Sequence, residues 1–378
     1  MSIREKLSEI VGSGNFSDDP TVLSKYSADS SLTPAGAPSY VVKPKDAQEV
    51  QKILQFANEQ SIPVVPVSSA VHFHGATIPR QGGIVLDLAR MKKVLEIDED
   101  NRRVRIEAGV LWQQLTEELA KKGMRMIMPL LPPANRSVLT DYLEREVPTN
   151  TVYDYGEPMQ SLEVVWPTGE IFRMGSASVN GYPDSASKGA NPSGPGLDFY
   201  RFVQGAQGTM GVVTWVNLKI ESIPKIDKIY FAAVDDLAYA QEFLYRILPR
   251  RIGQECLLLN NVELAAIIAE DCRKSWKKTG EESGNSLEKF IELLWGPLTG
   301  AGFAYTMDRR GERTQFRVTR CPLAELARTM GEEKWLYHLA CLTDEPSVTG
   351  FNPGIAFERT QTLMQGDPVC DHCYTVKG

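Results

Sequence analysis

The chain has 378 residues and a formal net charge of −7, with 42% hydrophobic and 24% charged residues. This is the composition of an ordinary globular protein, long enough for two or three domains because single cores rarely grow past about 250–300 residues. The acidic balance disfavours nucleic acid and anionic membrane as partners, and no apolar run approaches the roughly 20 residues a membrane span needs. The N-terminal stretch MSIREKLSEIVGSG has no apolar stretch of the kind a signal peptide carries, and places Ile3, Leu7 and Ile10 on one face of a short amphipathic helix. Six cysteines in a chain with no secretory feature are expected to be free thiols in a reducing cytoplasm.

From position 39 the pattern predicts strand, helix, strand, loop, strand. YVVKP reads as a strand ending at Pro44, and residues 47–59 carry Val50, Ile53, Leu54, Phe56 and Ala57 at helical spacing. IPVVPV and GGIVLDL are two further strands. VLEI and RVRIEA alternate around Asp98-Glu99-Asp100-Asn101 as a hairpin, and a second amphipathic helix runs from Leu111 to Gly123. A βαβ start followed by strand pairs implies an α+β domain and not a doubly wound sheet.

Residues 129–157 read as a long loop rich in proline, with a short helical stretch near 138–146; loops of this length are commonly functional. LEVVWPTGEIFRMG places two strands around the turn Pro167-Thr168-Gly169-Glu170. A Gly/Pro/Ser-rich insert over 175–198 follows. Gly205, Gly208 and Gly211 then cluster before Val212-Val213-Thr214, a β-branched run that reads as a buried strand. Such glycines suggest backbone pressed against something flat or charged.

Beyond Pro224, IYFAAVDDLAYAQEFLYRILPRR reads as a strand leading into a helix, residues 257–278 as helical, and 279–286 as a polar linker. A further helix, the strands GFAYTMD and TQFRVTRC split by Arg309-Arg310-Gly311-Glu312, another helix and a terminal strand pair complete the chain. Cys370, His372 and Cys373 lie within four residues, and thiolate with imidazole suits zinc or iron. A lone CxxC lacks its usual second pair, however, and buried cysteines are common in cores, so no metal is assigned. Cys321 or Cys370 as a nucleophile, with His338 or His372 as its base, is the alternative chemistry of this region.

Three blocks carry a family resemblance: IPVVPVSSAVHFHGATIPRQGGIVLDLARMKKVLEIDEDNRRVRIEAGV, LEREVPTNTVYDYGEPMQSLEVVWPTGEIFRMG and FVQGAQGTMGVVTWVNLKIESIP. Together, over about 36–225, they resemble the FAD-binding domain of the flavoproteins that include p-cresol methylhydroxylase, vanillyl-alcohol oxidase and glycolate/D-lactate oxidase D subunits. Residues about 275–378, through FRVTRCPLAELARTMG and FERTQTLMQGDPVCDHCY, resemble L-2-amino-thiazoline-4-carboxylic acid hydrolase-like proteins. The resemblances imply an α+β chain: an N-terminal helical segment (1–35), a two-subdomain FAD-binding fold of the p-cresol methylhydroxylase type (36–225), a truncated cap-like segment (226–272) and a separate α+β C-terminal domain (273–378).

FAD is the implied cofactor. In the family the loop after IPVVP wraps the FAD pyrophosphate with backbone N–H groups, here Val67, Ser68, Ser69, Ala70, Val71, His72, Gly75 and Ala76. Small residues let several amides converge on an anion; the usual glycine run is absent, and serine hydroxyls are alternative donors. Some relatives tether FAD through a histidine of this loop; His72 and His74 either do this, line the pocket, or face solvent. In the second block Glu146 and Pro148 stand where glycines are common, while Thr149, Asn150 and Gly156 remain available to the cofactor. Gly205, Gly208, Thr209, Gly211 and Val213 match the third block. The implied activity is oxidation of a small organic hydroxy acid, alcohol or phenol by hydride transfer to flavin, with Tyr153, Tyr155 and His74 as candidate bases. An oligomer, or a complex with an electron-acceptor subunit, is expected. The rival readings are an electron-transfer subunit that never meets the substrate, and a hydrolase or binding module with a degenerate flavin domain. A groove filled by Phe73 or Glu146 would remove room for the dinucleotide.

Overall fold

A computed structural model of the chain describes residues 2–146, 149, 158–178, 199–230, 232, 234, 236–250 and 252–377. Two compact units are present, 1–256 and 257–378.

The first unit is built on two sheets. Strands β1 (Phe16–Ser17), β2 (Tyr40–Val42), β3 (Val64–Val67) and β4 (Ile84–Asp87) form one, in the order β1-β2-β4-β3, with β2, β4 and β3 parallel. Helix α1 (Ile3–Val11) precedes it, closed by a capping box between Ser2 and Glu5. Helix α2 (Ala47–Glu59) connects β2 to β3; Asp46 caps it by accepting from the Glu49 amide at 2.8 Å. Pro66 lies in β3, the edge strand, where a missing N–H is tolerated.

The second sheet is antiparallel: β5 (Val94–Asp98), β6 (Arg103–Glu107), β7 (Met159–Val165), β8 (Ile171–Arg173) and β9 (Val212–Lys219), in the order β5-β6-β9-β7-β8. The hairpin expected at 167–170 joins β7 to β8. The run Val212-Val213-Thr214 opens β9, which is central and buried over Val212–Leu218. Helix α3 (Trp112–Ala120) follows β6, and α4 (Val138–Leu143) is the short helix foreseen near 138–146. One hydrophobic core joins both sheets through Ile53, Leu86, Ile106, Val164 and Val216, all 0% exposed. Helix α5 (Leu237–Ile247) closes this unit.

The second unit contains α6 (Asn261–Ser283), α7 (Leu287–Gly300), the hairpin β10 (Ala304–Arg310) and β11 (Arg313–Arg320), helices α8 (Pro322–Met330), α9 (Glu333–Leu339) and α10 (Asp344–Phe351), and strands β12 (Ile355–Glu358) and β13 (Cys373–Val376). Its sheet is antiparallel in the order β10-β11-β13-β12, so β10 and β12 are the edges. Its core is aromatic: Trp295 stacks on Phe316 at 3.9 Å, and Trp295 Nε1 donates to the Tyr374 hydroxyl at 3.2 Å.

Two expectations are corrected. None of the described residues in 229–236 belongs to a strand; Ile229 and Tyr230 are exposed there, and an unpaired extended segment gains no ladder to hold it. The linker foreseen over 279–286 is mostly helix, since α6 continues to Ser283. Lys277–Glu281 and Lys278–Glu282 sit at i,i+4 spacing that supports the added turn.

Candidate functional site

The site grows from the end of β3. The chain leaves the carboxyl end of this parallel strand as the loop 68–77, the location where open α/β sheets commonly bind ligands. Among the described residues, none accepts a hydrogen bond from the amides of Ser69 through His74. A run of unpaired N–H groups at a strand end forms an anion-binding concavity. The loop is held from below: Asp29 accepts from the Gly75 amide at 2.8 Å, and Ser30 donates to the His72 carbonyl at 2.9 Å.

Beside this loop lies a cleft of about 690 Å³, mouth included. Pro66, Val67, Ser68, His72, Ala76 and Thr77 line one wall; Leu139, Thr140, Leu143 and Glu144 of the α4 segment line a second; Ala206, Gln207, Gly208, Met210 and Gly211–Val213 line the third. Ala108 and Leu88 close its base. Helix α4 is fixed by Ser137, whose hydroxyl donates to the Ala108 carbonyl at 2.7 Å and accepts from the Thr140 amide at 3.3 Å. That cap therefore ties α4 to the end of β6 and sets the second wall against the first. Ser68 Oγ and Thr140 Oγ1 bond across the two walls.

Of the residues expected from sequence to meet the cofactor, Val67, Ser68, His72, Ala76, Gly208, Gly211 and Val213 line this cleft. Ser69, Ala70 and Val71 supply the unpaired amides of the loop. Gly75 is buried below it, committed to Asp29. Gly205 and Thr209 are exposed; the Gly205 amide donates to the Leu143 carbonyl at 2.7 Å, and Thr209 Oγ1 donates to the Ala206 carbonyl at 2.6 Å. Thr149 is not brought to the cleft: its hydroxyl donates to the Met128 carbonyl at 3.0 Å. Tyr153, Tyr155, Asn150 and Gly156 lie outside the described residues. The glycine cluster has an internal reason at one position. Gly211, at φ +136, lets β9 approach β7 so closely that a Cβ would stand 2.6 Å from the Val165 carbonyl oxygen.

A buried ion-pair network flanks the cleft. Arg136 is 0% exposed, and its guanidinium reaches Asp141, Glu144 at 2.5 Å and Glu146 at 2.7 Å. The Phe73 ring covers it at 4.5 Å. Trp112 Nε1 donates to Asp141 at 2.5 Å. His74 Nε2 sits 2.9 Å from Glu146 and 3.7 Å from Glu144. Burial pushes the carboxyls of Asp141 and Glu144 above the usual carboxylate range, and Arg136 offsets part of that rise. Phe73 and Glu146 are thus engaged with Arg136 and His74, and neither lines the cleft. His74, Glu144 and Glu146 are close enough to share an ion, within 4.8 Å of one another. The Arg136 guanidinium already occupies the same carboxylate oxygens, so the group is an ion-pair network in this structure.

Sequence reasoning did not foresee Arg136, Thr140 and Glu144. The one available signal was Ser137 three residues before Thr140, a helix start that fixes the α4 segment; nothing in the sequence links it to the loop 68–77.

In the second unit the cysteine-rich ending does not converge on one point. Cys370 Sγ accepts from the Leu363 amide at 3.1 Å, Cys373 Sγ accepts from Arg313 Nε at 3.0 Å, and His372 Nε2 lies 3.2 Å from Asp344, which also binds Arg359. Burial pushes the Cys341 thiol up to about 11 and raises Cys370 as well, which disfavours the thiolate a nucleophile requires.

Comparison with known proteins matches two families in succession along the chain, the second beginning at α5, within the first unit. Residues 38–175 match the family model of the FAD binding domain, and residues 236–374 that of L-2-amino-thiazoline-4-carboxylic acid hydrolase. The chain is 27% identical over 257 residues to glycolate oxidase subunit GlcD of Bacillus subtilis, covering 66% of this chain and 51% of that protein. It is 30% identical over 191 residues to the mitochondrial cytochrome D-lactate dehydrogenase of Arabidopsis thaliana, covering 50% and 31%. The chain thus spans about half or less of the length of these two relatives. In fold it is similar to p-cresol methylhydroxylase with substrate bound (TM-score 0.56, 16% identity, 99% of this chain and 82% of that one). It is likewise similar to the isoeugenol complex of 4-ethylphenol oxidase from Gulosibacter chungangensis (TM-score 0.56, 17% identity, 98% and 81%). The α+β architecture is that of the p-cresol methylhydroxylase type. Among the described residues, no helix is long and apolar enough to cross a membrane.

Proposed function

From the match of residues 38–175 to the FAD binding domain family model, we propose that the chain is an FAD-dependent oxidoreductase of small organic hydroxy acids, alcohols or phenols. The observation that carries this reading is the unpaired amide run of Ser69–His74 at the rim of an open cleft. Its donors suit a diphosphate, and the cleft walls offer apolar contacts from Leu139, Val203 and Val213 to the rest of a dinucleotide. When bound, FAD supplies a two-electron hydride acceptor.

The chain's own residues hold, orient and manage protons. The amides of Ser69–His74, with Ser68 and Ala76 at the loop's ends, bind the anionic centre; Gly205, Gly208, Thr209, Gly211 and Val213 border the opposite wall. Asn150 and Gly156 are the remaining proposed cofactor contacts. His74 is the described candidate for taking the substrate hydroxyl proton: its ring is partly exposed, and Glu146 orients it. Tyr153 and Tyr155 are the other proposed bases. The proposed domain division is 1–35, 36–225, 226–272 and 273–378. A cytoplasmic location, an oligomeric state and an electron-acceptor subunit belong to the same proposal.

The test is an absorbance spectrum of the protein purified and then loaded with FAD. Retained bands near about 370 and 450 nm are expected, with bleaching on addition of a 2-hydroxy acid or a 4-alkylphenol. Protein that stays colourless after loading sinks the proposal. Acid precipitation of the yellow protein separates tethered from dissociable flavin.

A further inference from the structure

We propose that Nδ1 of His72 accepts a hydrogen bond from an N–H or O–H group of the dinucleotide held in the cleft. His72 is then a side-chain ligand, in addition to whatever its amide contributes. The inference rests on the FAD reading above.

Three observations on this residue converge. His72 is 5% exposed and lines the cleft. Its Nε2 lies 2.8 Å from the Ser69 carbonyl, an oxygen that only accepts, so the proton sits on Nε2 and Nδ1 carries a lone pair. Nδ1 is buried and has no hydrogen-bond partner. An unpaired acceptor in a buried position is destabilising, and such groups in native proteins are as a rule satisfied.

No group among the described residues donates to Nδ1, and Glu144 on the facing wall is a further acceptor. This corner of the cleft therefore presents the acceptors His72 Nδ1 and Glu144, whereas the rim formed by Ser69–His74 presents donors. A dinucleotide matches both at once: its diphosphate suits the rim, and its ribose, ribityl or adenine donors suit the corner. Burial and the nearby Arg136 charge also lower the His72 proton affinity, which keeps the lone pair free at neutral pH.

The experiment uses the full chain. Apoprotein of wild type, His72→Asn and His72→Leu is titrated with FAD and separately with FMN, following quenching of flavin fluorescence. His72→Leu is expected to weaken FAD binding about tenfold, the worth of one hydrogen bond to a well-desolvated acceptor. His72→Asn, which keeps an acceptor, recovers most of it. A loss confined to FAD assigns the donor to the adenosine half, and an equal loss with FMN assigns it to the ribityl half. Thermal unfolding of the apoprotein is the control: His72→Asn and His72→Leu both lose the bond to the Ser69 carbonyl and are expected to lower the midpoint alike, so the difference in FAD affinity between them reads the ligand contact, and equal affinities in the two variants overturn the proposal. Should the variants fail to fold, the ¹⁵N resonance of Nδ1 in wild type decides, since accepting a bond shifts it. Wild type that binds FAD with an unmoved Nδ1 resonance, or with equal affinity in His72→Leu, overturns this proposal alone. Wild type that binds no FAD overturns the cofactor reading and this inference together.

Discussion

Arg136 is the residue on which the walls of the cleft depend. It is wholly buried, and three carboxylates share its single charge, so they retain a formal excess of two negative charges. Removing it strands buried carboxylates, and loss of one partner of a buried pair costs about 3–5 kcal/mol. Arg136→Met is therefore expected to destabilise the chain by that amount at neutral pH, measured by urea unfolding. The pH dependence has a definite sign. Burial raises Asp141 and Glu144 above their unfolded values, so their stabilising protonated forms are fully present below the ordinary carboxylate range. That contribution is lost as pH rises through the raised values. The defect of Arg136→Met should accordingly shrink as the solution is made mildly acidic; a defect independent of pH would show that the carboxylates are not its source. At this scale the sequence was least informative. Positions 136, 141, 144 and 146 have no periodicity that announces a shared partner, and only the fold brings Phe73 and His74 against them.

At the scale of elements the sequence was far more explicit. The strands at 40–42, 64–67 and 84–87, the helix at 47–59 and both hairpins follow from alternation, helical spacing and turn chemistry, because each buries one face and exposes the other. The strand foreseen before α5 was apolar enough, yet none of the described residues there joins a sheet, and pairing is a non-local requirement that composition does not record. The extra turns of α6 went unseen because a polar composition was read as a linker, whereas the turns are held by i,i+4 ion pairs and by packing on α10. That packing is close. A Cβ on Gly350 of α10 would stand 2.3 Å from the Arg273 carbonyl oxygen of α6. Gly350→Ala must push the two helices apart, and overpacking of this kind costs about 1–3 kcal/mol. The expected result is a lower midpoint for the unfolding of the second unit, followed by near-ultraviolet circular dichroism of its aromatic core; an unchanged midpoint would show that the helices part freely.

For the molecule as a whole, the two units, 1–256 and 257–378, have separate cores: one joining the two sheets of the first unit, the other built on Phe290, Trp295, Phe316 and Tyr374. The first carries the cleft and the family match to an FAD binding domain. In the second, burial raises the Cys341 and Cys370 thiols, which disfavours a thiolate at Cys370, one of the two cysteines considered as a nucleophile. Strand β10 forms an open border of the second unit, and its outer half displays Asp308, Arg309 and Arg310, with Arg309 reaching Glu288 and Arg310 lying 2.9 Å from Asp308. A border of free peptide groups is a template on which a second chain can add a strand, and charge along it is a common deterrent. Replacing all three residues with threonine is expected to leave the monomer folded yet make it associate with concentration, read by light scattering. The charges of this hairpin thus set how concentrated this protein can become before its own backbone begins to recruit copies of itself.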